Sequence, residues 1–360
     1  MTADAVGGVW TYSLDLARGL AAHGVETALA VLGPAPSAEQ AHEAETVEGL
    51  RVLATGLPLD WTAAAPSEVE RAGQRIAALA RELRTDLVHL NQPALAADAA
   101  FPVPVVAVCH SCVATWWDTV RAGPLPADLA WRAGLVARGY RAASALLAPT
   151  RAFAAATART YGLREPPGVV PNGSAAPDAV APGEPASYAF TAGRLWDEGK
   201  GLAVLDRAAA RIARPVFAAG PLRGPNGAAI DLRYVRTLGP LSTRAVAERL
   251  AEHPVFVSAS RYEPFGLAVL EAARAGCALI LSDIPTFREL WTGAAEFVPP
   301  EDDGALAAAV ERLLANPAEQ ARRGEAARAQ ARRFTVEAMA AGVLAAYRPL
   351  LPAAFHEARA

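Results

Sequence analysis

Short apolar runs of strand length alternate along the chain with longer stretches that carry apolar residues at helical spacing. This alternation is the pattern of a parallel sheet wound by crossover helices. In the first half the runs predict strands over 27–32, 50–53, 87–90, 103–109 and 145–148, and a further one over 168–170. Helices fall between them, among them 9–22 closed by Gly24 and 67–83 opened by a serine cap. From Pro171 to Ser187 the pattern stops: an Asn-Gly pair, prolines and little to bury predict a linker, assigned to 174–187. The alternation then resumes, with strands over 188–192, 215–219, 233–238, 255–257, 278–281 and 296–298. Its helices are read over 201–212, 242–251, 267–275 and 304–315, and one more amphipathic helix over 335–351. The fold class is α/β: two Rossmann-like, doubly wound parallel-sheet domains, 1–173 and 188–334, with a tail from 335 to 360. A cleft is expected where the carboxyl ends of the two sheets face each other. Only Met1–Val6 precede the turn at Gly7 and Gly8, so the first strand reads as truncated and translation is expected to begin several codons upstream.

Composition narrows the function. Of 360 residues 52% are hydrophobic and 20% charged, with a net charge of −3, which excludes a disordered chain and leaves no basic footprint for nucleic acid. No apolar run approaches the roughly 18 residues of a membrane span, and no leader segment is read at the start. Three cysteines make no disulfide framework. A cytoplasmic enzyme is expected. Alanine fills about a quarter of the chain and nearly every basic position is arginine; Lys200 is the sole lysine. A compact ammonium kept where arginine fills the other sites marks a position that a planar guanidinium does not suit.

Lys200 lies in Gly193-Arg194-Leu195-Trp196-Asp197-Glu198-Gly199-Lys200-Gly201, after one strand and before one helix. Arg194 can offer a bidentate fork and Lys200 a point charge to one diphosphate, with glycines allowing close backbone approach. The competing view is a surface turn whose cations pair with Asp197 and Glu198. The second constellation runs from Ser258 through Glu263, Pro264, Phe265, Gly266 and Leu267 to Glu271. Amides of Phe265, Gly266 and Leu267 at a helix start form an anion site. The carboxylates of Glu263 and Glu271 beside it suit hydroxyls, so a nucleotide sugar, with hydroxyls on hexose and ribose, satisfies both. Gly7 and Gly8 form a weaker strand-to-helix signal. His110, at a strand's carboxyl end, is a candidate sugar contact. Cys109 and Cys112 flank it without the second pair that a zinc site needs, and no metal is expected. Trp116, Trp117 and Trp131 fit a core or a bound acceptor equally well.

Taken together, these residues resemble the retaining glycosyltransferases of family 4, of GT-B fold. The resemblance also takes in Val169-Val170-Pro171-Asn172-Gly173 and Leu238-Gly239-Pro240-Leu241. It implies that the C-terminal domain binds the nucleotide-sugar donor and the N-terminal domain the acceptor, with the tail from 335 crossing back onto the N-terminal domain. Arg194 and Lys200 would hold the diphosphate, Glu271 the ribose, and the backbone near Leu241 the base. Glu263 and the amides at Phe265, Gly266 and Leu267 would meet the sugar and distal phosphate, and His110 the sugar. Transfer with retention and without a metal cofactor is expected, to a sugar, lipid-linked or small-molecule acceptor. Membrane contact is at most peripheral, near 131–141, and no oligomeric state is implied. A sugar-nucleotide epimerase, a phosphorylase or a non-catalytic nucleotide-sugar binder are the alternatives.

Overall fold

The computed structural model describes residues 1–175 and 184–351, and the middle of the expected linker, 176–183, lies outside the described residues, as does the end of the tail, 352–360. The chain divides into two compact units, Met1–Gly173 with Thr335–Ala360, and Ser174–Phe334. Ser174 N–H donates to Phe334 O and Ala186 N–H to Glu252 O, so both described ends of the 174–187 stretch are tied into the second unit's backbone.

In the first unit the strands are β1 (Thr2–Asp4), β2 (Thr27–Leu32), β3 (Leu50–Ala54), β4 (Val88–Leu90), β5 (Val105–Val108), β6 (Ala145–Ala148) and β7 (Gly168–Val169). Helices α1 (Gly8–Ala21), α2 (Ala38–Glu45), α3 (Pro66–Glu82), α4 (Val113–Val120), α5 (Ala127–Ala142) and α6 (Arg151–Tyr161) connect them. All pairing is parallel, in the orders β1-β2-β3 and β4-β5-β6-β7. β1 is short and buried, and no ladder bond joins it to β4. Asn91, just past β4, does that work instead: its amide N–H donates to Thr2 Oγ1 at 3.0 Å and its side-chain NH2 to Thr2 O at 2.7 Å. Buried backbone groups at the gap therefore stay hydrogen-bonded.

In the second unit β8 (Ala189–Ala192), β9 (Val216–Ala219), β10 (Arg236–Gly239), β11 (Val255–Ser258), β12 (Ala278–Ser282) and β13 (Ala295–Val298) form one parallel sheet, ordered β10-β9-β8-β11-β12-β13. Helices α7 (Leu202–Ala209), α8 (Thr243–Leu250), α9 (Leu267–Arg274), α10 (Pro285–Trp291), α11 (Asp303–Leu314) and α12 (Pro317–Ala331) cover it. Side chains alternate between two cores. Val255, Val257, Ala278 and Ile280 enter one, and Phe256, Leu279 and Leu281 the other. Both faces are dry, which is why these strands read as continuous apolar runs rather than alternating ones. The last helix, α13 (Val336–Tyr347), belongs to the first unit and packs on α1, where a side chain on Gly19 would meet Ala340 Cβ at 2.7 Å.

Three local expectations need correction. Ser67 does not cap α3: the helix begins at Pro66, Ala65 holds the cap position without a side-chain bond, and Glu68 accepts from Ala64 N–H instead. An acceptor loop is expected over 115–126, but residues 113–120 form α4, capped by Cys112 Sγ. Residues 233–235 are not strand, because Asp206 takes the amides of Arg233, Tyr234 and Val235 on its carboxylate before β10 begins. Asp206→Ala removes these charge-assisted bonds and is expected to lower stability by about 1–3 kcal/mol, read as a shift of the urea midpoint at constant slope.

Candidate functional site

The second unit's strand order reverses between β8 and β11. Ligands of doubly wound sheets bind outside the carboxyl ends of the strands at such a point. The two segments singled out in the sequence leave the sheet there, and the main chain joins them. Gly199 O accepts from Arg261 N–H at 2.8 Å and from Tyr262 N–H at 3.1 Å. Gly201 has φ +67°, and a Cβ there would lie 2.0 Å from Ala259 O, so only glycine lets the turn sit this close to the other loop. The sequence had suggested that glycine here admits a ligand; at Gly201 it admits the protein's own backbone. Space is open beside Gly193.

Both cations of the turn are already paired. Arg194 Nη2 donates to Asp197 Oδ2 at 3.1 Å, and its guanidinium lies 5.7 Å from the Trp196 ring centroid. Asp197 also fixes the turn by accepting from Gly199 N–H at 3.0 Å. Lys200 Nζ donates to Glu263 Oε2, across the two loops, with side chains 22% and 14% exposed. Gly266, at φ +93°, is the N-cap of α9, and the amides of Val269 and Leu270 return to its carbonyl. The earlier amides of this turn, at Leu267 and Ala268, have no intrahelical acceptor and carry the positive end of the helix dipole. Phe265 is buried, 5.6 Å from the ring of Phe334. Glu271 is half-buried in the second turn of α9. Leu241 follows β10, and with Leu238, Ala245, Glu248, Arg249 and Glu252 it lines a cavity of about 430 Å³. The ends of β8, β9 and β10 are linked rung by rung, Gly193 N–H to Ala219 O and Gly220 N–H to Gly239 O. Arg194, Lys200, Glu263 and the start of α9 are thus neighbours, with Leu241 farther along the same sheet edge.

Gly7, Gly8 and His110 belong to the first unit. Gly7 N-caps α1 with an extended backbone, φ −157°, so no left-handed geometry demands glycine there. His110 follows β5, and its Nε2 lies 2.9 Å from Asn91 Oδ1. Its ring stands edge-on to Tyr12, centroids 4.5 Å apart. Burial drives the His110 imidazole down to about 3, so the ring is neutral. His89 is also held down to about 3, mainly by burial, and joins Tyr12 Oη at 3.4 Å to Tyr347 Oη at 2.6 Å. Asn91 was missed from sequence, although a polar pair, Asn91-Gln92, closing a strand was the available signal. Cys109 is fully buried, its thiol pushed up to about 12 by that burial. Among the described residues no group of three or more His, Cys, Asp or Glu is placed to hold a metal ion, and no helix is long and apolar enough to cross a membrane.

Neutral imidazoles, buried at His89 and half-buried at His110, make stability depend on pH. Their folded pKa lies below the ordinary 6.5, so their contribution is complete above 6.5 and is lost as pH falls towards about 3. The stability advantage of wild type over His89→Gln should therefore narrow steadily between pH 6.5 and 4, measured by urea unfolding at each pH.

Comparison with known proteins agrees with this architecture. Residues 6–174 match the model of Glycosyltransferase Family 4, and residues 186–316 that of Glycosyl transferases group 1. Glycogen synthase of Mycobacterium tuberculosis is 28% identical over 365 residues, covering 90% of this chain and 86% of that protein. Sucrose-phosphate synthase from Thermosynechococcus elongatus superposes with a TM-score of 0.76, at 20% identity, over 97% of this chain and 98% of its own. HepE of Anabaena, in complex with UDP and glucose, gives 0.72 at 18% identity over 97% and 99%. The chain belongs to glycosyltransferase family 4 and is a glycosyltransferase of GT-B fold.

Proposed function

We propose that the protein moves a hexose-type sugar from a nucleoside-diphosphate sugar to an acceptor hydroxyl, retaining the anomeric configuration and using no metal. The observation that carries this reading is the meeting of Arg194, Lys200 and the amino end of α9 at the switch point of the second unit's sheet. Two cations and a helix start on adjoining loops suit a pyrophosphate. Arg194 and Lys200 hold it, and the α9 amides take the distal phosphate. Glu271 receives the ribose hydroxyls, and the backbone beside Leu241 the base. Uridine is the first base to try, since HepE, which shares the fold, was solved with UDP and glucose.

The ion pair of Lys200 with Glu263 gives donor binding its logic. A diphosphate draws the ammonium away, and the carboxylate released is then free to accept from sugar hydroxyls. His110 of the first unit contacts the sugar, Gly7 and Gly8 let backbone approach it, and the first unit carries the acceptor. Cleavage of the anomeric C–O bond leaves an oxocarbenium-like sugar and a nucleoside diphosphate with one more negative charge. The acceptor oxygen bonds to the anomeric carbon on the face just vacated, and its proton passes to the departing phosphate oxygen. Fixed donors aimed at that phosphate lower the barrier as its charge develops. Neither glutamate need carry a proton.

Lys200→Ala is expected to lower kcat by about 10²–10³-fold while the thermal midpoint falls by only a few degrees. Lys200→Arg restores little, because a planar fork replaces a point charge. Release of nucleoside diphosphate from UDP-, GDP- and ADP-glucose, followed chromatographically, reads both. The same assay should be indifferent to EDTA; activity abolished by EDTA and restored by magnesium would overturn the metal-free reading.

A further inference from the structure

We propose that Asn91 is a positioning residue for His110: it locks the imidazole in the Nε2–H tautomer, so that His110 offers Nδ1 as a lone-pair acceptor to a hydroxyl of the bound sugar. The hydrogen bonds around Asn91 fix every proton in the chain of contacts. Its side-chain amide faces Thr2 O at 2.7 Å and Ser13 Oγ at 3.0 Å. A carbonyl oxygen can only accept. The Ser13 hydroxyl hydrogen is itself directed to Val9 O at 2.7 Å, leaving Ser13 Oγ to accept as well. The Asn91 atom facing both is therefore the NH2 group, and Oδ1 is the atom 2.9 Å from His110 Nε2. Since Oδ1 has only lone pairs, Nε2 must carry the hydrogen.

The elements that set this up are fixed independently. Asn91 directly follows β4, its own amide N–H is tied to Thr2 Oγ1 of β1 at 3.0 Å, and Ser13 is buried on α1. Tyr12 on the same helix holds the His110 ring edge-on. Of the titratable groups close by, His89 is itself neutral and engaged by two tyrosine hydroxyls, and burial raises the Tyr12 phenol so that it keeps its hydrogen. In a neutral ring with hydrogen on Nε2, Nδ1 is an acceptor only. The group that meets it must bring a hydrogen, as a hydroxyl or an amide does. A carboxylate or a phosphate oxygen there would face lone pair to lone pair. His110 therefore supplies no positive charge to the departing phosphate, and it favours neutral hexosyl over uronosyl donors. This last step rests on the reading of His110 as a sugar contact, whereas the tautomer does not.

Histidine ¹⁵N resonances of the full-length chain, assigned with His110→Gln, separate the two parts. The wild type should show a hydrogen-bearing Nε2 and a bare Nδ1 for His110. Asn91→Ala should mix the tautomers and raise KM for UDP-glucose about tenfold with a smaller change in kcat, the loss of one oriented hydrogen bond. Hydrogen on Nδ1 in the wild type overturns the lock, and that measurement stands even if Asn91→Ala, which also loosens β1, fails to fold. An unchanged tautomer in Asn91→Ala overturns it too. Adding UDP-glucose should move the Nδ1 resonance to the hydrogen-bonded position. A ring locked as described but unmoved by bound UDP-glucose overturns the sugar contact, and failure of UDP-, GDP- and ADP-glucose to bind at all is instead a failure of the donor reading.

Discussion

Everything in the second unit's site depends on one main-chain junction, where the turn after β8 meets the loop after β11. The carbonyl of Gly199 takes two amides of the opposite loop, and Gly201 has no side chain to hold the loops apart. The sheet order places these loops side by side, but it is this contact that sets their spacing. Cations on one loop and helix amides from the other can then address one diphosphate. Had the loops been joined only by side chains, each cation would lose rotamer freedom on binding, and preorganisation would be weaker.

The two units handle polar groups differently. In the second, charge is kept and compensated: Arg194 with Asp197, Lys200 with Glu263, both partly shielded from water. A half-buried ion pair contributes little net stability, because desolvation offsets much of the attraction. Under the proposed function its value lies in orientation, since each cation is held near where a phosphate would arrive. At His89 and His110, in the first unit, charge is avoided. His89 and His110 are kept neutral by burial, and their hydrogen bonds run to tyrosine hydroxyls and an asparagine amide. Under the proposed function the neutral network would meet hydroxyls and the charged one phosphate.

Much of this was legible from local pattern. Strands 27–32 and 145–148 are read to the residue, because continuous β-forming runs end at turn residues there. The spacing from Glu263 to Glu271 and the isolation of Lys200 marked the two loops that the main chain joins. What escaped the sequence was whatever depends on distant partners. Residues 233–235 look like strand until Asp206, far back in the chain, claims their amides. Asn91 looks like a loop polar residue, and its role comes from Thr2, Ser13 and His110, on three other segments. Lys200 and Glu263 are 63 residues apart, and nothing in either neighbourhood announces that they pair. Ser67 offered a plausible cap, but Pro66, suited to the first helical position, set the boundary one residue earlier.

The central claim is that the loops around Lys200 and α9 bind a nucleoside diphosphate bearing a sugar. Calorimetric titration of the wild type and of the double variant Arg194→Ala/Lys200→Ala with UDP-, GDP- and ADP-glucose tests it most directly. The account predicts that at least one of the three binds the wild type and that its affinity falls by a factor of ten or more in the double variant, about 1.4 kcal/mol or greater. Binding of equal strength to both proteins, or no binding of any of the three to the wild type, would contradict it.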